Sequence, residues 1–155
     1  MKIRSVKLNN RKKVFEVSTR RGRFEFPYAK AEVVPTASDP ITEIYIDDEI
    51  GREAITYELA SGREGTIHVE QFFDYNEEPR YMRDMLLYKL TLEAIDRVKS
   101  SPLSKREIIR RLGTSPAQFY RLVDPTNYRK SIDKLLMLLQ VLDYDVDLVI
   151  RAKSA

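Results

Sequence analysis

Residues 105–123, KREIIRRLGTSPAQFYRLV, contain the most informative pattern in the chain. Ser104 and Ser115 each stand where a helix N-cap is expected, and Pro116 suits the first helical position. Glu107 follows Ser104 by three residues, which predicts a capping box. Gly113 can adopt the positive φ that ends a helix. The segment therefore predicts two short helices, over 105–112 and 116–123, joined by a tight turn.

The apolar residues of this segment predict which side of each helix is buried. Ile108, Ile109 and Leu112 would pack the first helix, and Phe119 and Leu122 the second. The remaining side of the second helix would then face solvent. Two short helices joined by a turn that contains Gly are typical of a DNA-binding helix-turn-helix, whose second helix enters the major groove.

The residue types on the exposed side favour nucleic-acid recognition. Arg121 can bind guanine, Gln118 can bind adenine, and Ala117 can contact a thymine methyl group. We predict base contacts from these three residues and Tyr120. Phosphate contacts are predicted from basic residues and from a helix N-terminus: Lys105, Arg106, Ser115, Arg129 and Lys130. A helical hairpin with an ordinary basic surface is the alternative, and Arg110-Arg111 fits a solvated helix face equally well.

Helical spacing continues on both sides of this segment. We predict a long helix over Tyr81–Lys99, with Pro79 at its start, and a helix over Ile132–Leu142 capped by Ser131. The tail Val146–Ile150 alternates like a strand. We expect it to add to the first half of the chain or to pair with a second subunit.

The stretch LSKREIIRRLGTSPAQFYRLVDP, followed by SIDKLLMLLQVLDYDVDLVI, resembles the Xre/lambda-repressor-like helix-turn-helix family, in particular regulators and antitoxins of the HigA kind. The resemblance covers about the last 50–70 residues. It implies a DNA-binding transcriptional regulator that acts as a homodimer on double-stranded DNA. Pro116 stands where the family often has a base-reading Gln, and Thr114 stands where an apolar residue is common.

The first half has the two-residue period of strands, separated by turn residues. The predicted strands are 2–8, 14–18, 24–26, 44–46, 54–59 and 66–69. Together the two halves predict an α+β fold. An antiparallel β domain of unknown role covers residues 1–78, and a helical DNA-binding domain with a terminal strand covers residues 79–155.

Charge is distributed unevenly over the 155 residues, whose formal net charge is only +3. Residues 1–30 hold ten Lys and Arg against two Asp and Glu. Residues 31–79 hold two against thirteen, and residues 80–155 hold fifteen against nine. Two basic segments therefore flank an acidic one. The N-terminal basic residues lie mostly at predicted turns, which favours a solvated surface over a second phosphate contact.

Several function classes lack the residues they need. Cysteine is absent and His68 is the single histidine, which excludes disulfides and thiolate metal sites. We expect His68 and the acidic turn Asp47-Asp48-Glu49 to be surface residues. No nucleotide-binding loop, dinucleotide fingerprint, His-Glu-x-x-His motif or nucleophile elbow is present. We therefore expect no enzyme activity and no cofactor.

The sequence also suggests location and alternative roles. No stretch approaches a membrane span or a signal peptide, and a chain without disulfides suits the cytoplasm. The main alternative function is an antitoxin that binds a partner toxin and represses its own operon. A third possibility is a ligand sensor, in which the β domain controls the DNA-binding half, although no ligand can be named.

Overall fold

A computed structural model describes residues 1–154 and has a mixed α+β fold, which confirms the predicted fold class. Two three-stranded antiparallel sheets come first and helices follow. The strands are β1 (Ile3–Asn9), β2 (Val14–Thr19), β3 (Gly22–Pro27), β4 (Ile41–Ile46), β5 (Ala54–Leu59) and β6 (Glu64–His68). The helices are α1 (Val69–Tyr75), α2 (Pro79–Ser100), α3 (Lys105–Leu112), α4 (Pro116–Leu122) and α5 (Ile132–Val141), and Tyr28–Lys30 forms a short 3₁₀ turn.

The chain divides into two compact units, one over Met1–Met82 and the other from Arg83 onwards. The first unit contains both sheets and α1. The sheets have the orders β1-β2-β3 and β4-β5-β6, and every pair of neighbouring strands is antiparallel. The N–H of Ile3 in β1 donates to the carbonyl of Arg52 at 2.8 Å, which links the first sheet to the turn between β4 and β5.

The core of the first unit is rich in aromatic residues. Both sheets and α1 contribute buried rings, which include Phe15, Phe26, Tyr57, Phe72 and Phe73. Alternate residues of the strands point into this core, which explains the two-residue period of the sequence. Burial of this apolar area is the main force that holds the two small sheets together.

The end of β6 differs from the prediction. Val69 was expected to end a strand, but it begins α1. His68 is the N-cap of this helix, and its Nδ1 accepts the N–H of Glu70 at 3.4 Å. The carboxamide of Gln71 accepts the N–H of His68 at 2.9 Å, which completes a capping box. The first unit is therefore not purely β, and His68 has a structural role at its surface.

The second unit contains one helical core. The part of α2 from Leu87 to Val98 packs with α3, α4 and α5, and the buried residues are almost all aliphatic. The three shorter helices occupy nearly the predicted residues, because their apolar spacing acts locally, as do the serine caps of α3 and α4. Among residues 1–154, no helix is long and apolar enough to cross a membrane.

The predicted terminal strand Val146–Ile150 is wrong for the single chain, because residues 142–154 form no helix or strand. The alternation of apolar residues is present, but a strand needs a neighbouring strand to bond its backbone.

Ser131 is a second local correction. It occupies the N-cap position of α5, yet its side chain does not accept a hydrogen bond from the helix. Asp133 lies in the first turn of the same helix. The neighbouring Ser131 hydroxyl foremost, and the nearby backbone N–H groups, lower the pKa of Asp133.

Candidate nucleic-acid interface

Local hydrogen bonds fix the ends of α3 and α4. The hydroxyl of Ser104 accepts the N–H of Glu107 at 3.1 Å, and the hydroxyl of Ser115 accepts the N–H of Gln118 at 3.2 Å. Gly113 ends α3 with a φ of 68°, and an added Cβ there would meet open space. Its role is therefore conformational, since few other residues adopt this φ without strain. Three residues thus separate the two helices.

One side of each helix is held in the core of the second unit. Ile108 and Leu112 are the buried residues of α3, and Phe119 and Leu122 are those of α4. Phe119 is only 1% exposed. These contacts fix the rotation of α4 about its axis and so determine which side faces solvent.

The opposite side of α4 is exposed, as the spacing of its apolar residues predicts. Ala117, Gln118, Tyr120 and Arg121 all lie on the surface, and 54% of Tyr120 is exposed. The hydroxyl of Thr114 donates to Oε1 of Gln118 at 2.7 Å. This bond orients the carboxamide, yet it leaves both amide protons and one acceptor position of Oε1 available.

Tyr120 lies between an aromatic ring and a cation. Its ring meets that of Phe119 edge to face, with 5.5 Å between the ring centroids. The ammonium group of Lys105, at the start of α3, is 6.0 Å from the centroid of the Tyr120 ring. Lys105 and Tyr120 therefore present a charge and a hydroxyl at one place on the surface.

Side chains from the following loop satisfy the C-terminal carbonyl groups of α4. Nδ2 of Asn127 donates to the carbonyl of Arg121 at 3.1 Å. The ammonium group of Lys130 donates to the carbonyls of Leu122 and Asp124, at 3.0 Å and 2.6 Å. Burial lowers the pKa of Lys130. This lysine therefore holds the loop against α4 and has one donor left for a ligand.

A groove of about 580 Å³ runs between the turn before α4, the exposed side of α4 and the start of α5. Its lining includes Gln118 and Arg121 from α4 together with Arg129, Lys130 and Lys134. The described residues that line this groove include no Asp or Glu. Neither Arg121 nor Arg129 forms an ion pair with any residue in 1–154. The groove is therefore a concentrated positive surface.

The structure brings most of the predicted site residues together. Gln118 and Arg121 meet Arg129 and Lys130 in the groove. Ala117 and Tyr120 lie on the same exposed side of α4, and Lys105 lies beside Tyr120. Arg106 is exposed on α3, outside the groove lining. The hydroxyl of Ser115 already serves as the helix cap, and its proton remains available as a donor.

Arg110 and Arg111 are exposed to solvent, and both pair with one acidic neighbour. The carboxylate of Glu107 accepts Nε of Arg110 at 2.9 Å and Nε of Arg111 at 2.9 Å. The hydrogen bonds from Arg110 and then Arg111 lower the pKa of Glu107 to about 2. The predicted return bond of the capping box is therefore replaced by a cluster of one acid and two bases.

Sequence reasoning missed three contributors to this surface. Lys134 adds charge to the groove, Asn127 caps α4, and Thr114 orients Gln118. The available signal for Lys134 was its position four residues after Lys130, because both lie near the start of a predicted helix. Nothing in the sequence marks the other two, since their roles depend on how the loop folds back.

Other kinds of site have no comparable support. Within residues 1–154, His, Asp and Glu form no group of three or more that could hold a metal ion. Comparison with protein-family models, with curated proteins and with solved structures finds no match to this chain. The function of this chain therefore has to be inferred from the geometry of its surface.

Proposed function

We propose that this protein is a sequence-specific DNA-binding transcriptional regulator of the cytoplasm, and that α3, the turn and α4 act as a helix-turn-helix. The observation that carries this proposal is the basic groove beside the exposed side of α4, whose lining contains no Asp or Glu among the described residues. DNA presents closely spaced phosphates, so such a surface gains affinity by displacing counterions. No role in catalysis is proposed.

Base recognition is assigned to the exposed side of α4. The guanidinium group of Arg121 can donate two hydrogen bonds to O6 and N7 of guanine. The carboxamide of Gln118 can pair with N6 and N7 of adenine, and its bond from Thr114 reduces the entropy lost on binding. Ala117 and Tyr120 complete the proposed base-contacting set.

Phosphate contacts are assigned to cations around this side. Lys105, Arg106, Arg129 and Lys134 carry the charge, and Ser115 and Lys130 contribute single donors in addition to their structural bonds. Asp133 places an acidic side chain in the first turn of α5, so anion binding in the groove is assigned to these side chains and not to that helix terminus. Phosphate contacts position the protein and carry no sequence information directly.

The functional unit is proposed to be a homodimer. One such domain buries too little surface for strong specificity. Two copies related by a two-fold axis would place their α4 helices about 34 Å apart, which matches one turn of DNA. A palindromic operator follows from this symmetry.

The test compares three variants on duplex DNA selected by the wild-type protein from a random pool. Arg121→Ala should lose about 1–3 kcal/mol of discrimination between selected and random duplexes. Lys105→Ala should weaken binding to both kinds of DNA alike, and should reduce the slope of affinity against salt by about one unit. Lys89→Ala, which removes an exposed charge from α2, is the matched control and should bind like wild type.

Two results would contradict the proposal. The wild-type protein could enrich no sequence and bind random duplex with an affinity that hardly falls with added salt. Alternatively, Lys89→Ala could weaken binding as much as Arg121→Ala, which would mean that only net charge matters.

An antitoxin role is the second candidate, and it is compatible with DNA binding. Leu86 and Leu92 on α2 are 65% and 39% exposed, and each offers an apolar contact for a partner protein. Coexpression with the product of the adjacent gene tests this role. Copurification of the two proteins, abolished by Leu86→Lys, would support this role. If the adjacent gene's product inhibits growth and this chain does not relieve the inhibition, the role is contradicted.

A further inference from the structure

The segment after the last helix of the protein carries a row of exposed apolar residues. The chain is still anchored at Tyr144, whose N–H donates to the carbonyl of Leu139 at 2.9 Å and whose ring lies 5.4 Å from the guanidinium carbon of Arg97. Beyond it, Leu148, Val149 and Ile150 are 80%, 68% and 86% exposed. Such exposure of consecutive aliphatic residues marks an interaction surface.

This segment belongs to no sheet in the single chain. Residues 145–154 form no helix or strand, and the N–H of Leu148 donates to the carboxylate of its neighbour Asp147 at 2.8 Å instead of to another strand. The residue types are nevertheless those of a strand, because aliphatic residues dominate and Pro and Gly are absent. The segment therefore lacks only a neighbouring strand.

The order of its charges selects the neighbour. Asp145 and Asp147 precede Val149, and Arg151 and Lys153 follow it at the same spacings. Two antiparallel copies centred on Val149 would place Asp147 opposite Arg151 and Asp145 opposite Lys153. Leu148 would lie opposite Ile150 in the same register. Opposite charges in directly opposed positions stabilise a sheet, whereas a parallel pair would place Asp against Asp.

We propose that residues 145–153 of two copies pair as antiparallel strands about a two-fold axis at Val149, and that this pairing forms the homodimer. The surface is self-complementary, as a two-fold interface requires. The inference specifies how the homodimer of the proposed function forms. It rests on the proposed function only for the role of that dimer in DNA binding. Self-association itself can be measured without DNA.

The first experiment tests charge complementarity by sedimentation equilibrium of the full-length chain without DNA. The acid-reversed variant Asp145→Lys/Asp147→Lys and the base-reversed variant Arg151→Asp/Lys153→Asp should each dimerise at least about tenfold more weakly than wild type. An equimolar mixture should form a heterodimer with roughly the wild-type affinity, since every charge again meets its opposite.

This design separates pairing from simple damage to the tail. A tail that only helps its own chain to fold would not regain association when two defective variants are mixed. A wild-type chain that stays monomeric, or reversed variants that dimerise as tightly as wild type, would overturn the proposal.

The second experiment tests the register by disulfide formation. Because the chain has no cysteine, an introduced one is unique. Val149→Cys should cross-link two chains rapidly under mild oxidation, since residues on the two-fold axis face each other across the strands. Leu148→Cys is the control and should cross-link more slowly, because its two copies are offset along the strands. Faster cross-linking at position 148 would overturn the proposed register.

The outcomes for dimer and DNA are distinguishable. A chain that dimerises through the tail but enriches no DNA sequence would support the strand pairing and contradict the proposed function. A chain that binds selected DNA while the reversed tails leave its self-association unchanged would support the function and contradict the strand pairing.

Discussion

The two units fill their cores with different side chains. The first unit uses aromatic rings, and its buried tyrosine hydroxyls need hydrogen-bond acceptors. The Tyr57 hydroxyl donates to the carbonyl of Val33 at 2.5 Å, and the Tyr28 hydroxyl donates to Asn10 at 2.9 Å. The second uses aliphatic residues, with Phe119 as the aromatic member of its buried cluster. An aromatic core depends on loop residues that accept hydrogen bonds, whereas a leucine-rich core depends mainly on helical spacing.

The two units also differ in how their cations are used. In the first, Lys7, Lys12, Arg21 and Arg63 each form an ion pair with a carboxylate. In the groove of the second, Arg121 and Arg129 form none within residues 1–154. Of the ten cations in residues 1–30, Lys7, Lys12 and Arg21 form ion pairs within residues 1–154, and seven do not. The groove differs in that its cations share one lining, which contains no Asp or Glu among the described residues.

The largest effect is expected from the core of the second unit. Phe119→Ala should lower the free energy of unfolding by about 3–5 kcal/mol, because it removes a buried ring and leaves a cavity. Tyr120→Ala, one residue away on the exposed side, should cost less, about 0.5–1.5 kcal/mol, because it removes only the edge contact with Phe119. Urea denaturation followed by circular dichroism measures both. Equal losses would contradict the assigned rotation of α4.

A smaller effect should distinguish two glycines, one in each unit. A Cβ on Gly65 would collide with the ring of Tyr57, so Gly65→Ala should cost about 1–3 kcal/mol through overpacking. Gly113→Ala has space but must adopt a positive φ, which costs about 1–2 kcal/mol. Unfolding in urea measures these losses.

Asparagine separates the two causes. Because Asn tolerates the left-handed region, Gly113→Asn should be milder than Gly113→Ala. At position 65 the larger Asn side chain should be worse than Ala. The reverse order at either position would show that the assigned cause is wrong.

The smallest effect concerns the cluster of Glu107, Arg110 and Arg111. Since the pKa of Glu107 in the folded chain is about 2, below its ordinary value of 4.5, its contribution to stability is complete above pH 4.5. It should be lost as the pH falls through 2. The difference in unfolding free energy between wild type and Glu107→Gln should therefore shrink over this range. An NMR titration of the Glu107 carboxyl carbon with a midpoint near 4.5 would contradict the cluster.

Local chemistry explains which parts of the fold could be predicted. Ser104, Gly113 and Ser115 act on residues within a few positions, so the boundaries of α3 and α4 follow from sequence. The start of α1 could not be predicted, because its N-cap is His68, an uncommon cap, and the residues before it alternate like a strand. Ser131 occupies the N-cap position of α5 without accepting a cap hydrogen bond, which its residue type and position do not reveal.

The candidate site was predictable to a similar extent. The exposure of Gln118, Tyr120 and Arg121 follows from the apolar spacing of α4. The groove could not be predicted from the sequence, because it forms where the loop after α4 bonds back to that helix through Asn127 and Lys130. The same return explains why Lys130, predicted for phosphate, spends two of its donors on backbone carbonyls.

The most direct test of the central claim is an NMR titration of the backbone amides with the duplex that the wild-type protein selects. If the exposed side of α4 and its groove hold the DNA, the largest shifts should fall on residues 114–121 and 127–134. The sheets of the first unit should change little. Selected DNA that leaves residues 114–134 unperturbed, or that shifts mainly the basic residues of β1 to β3, would contradict the account.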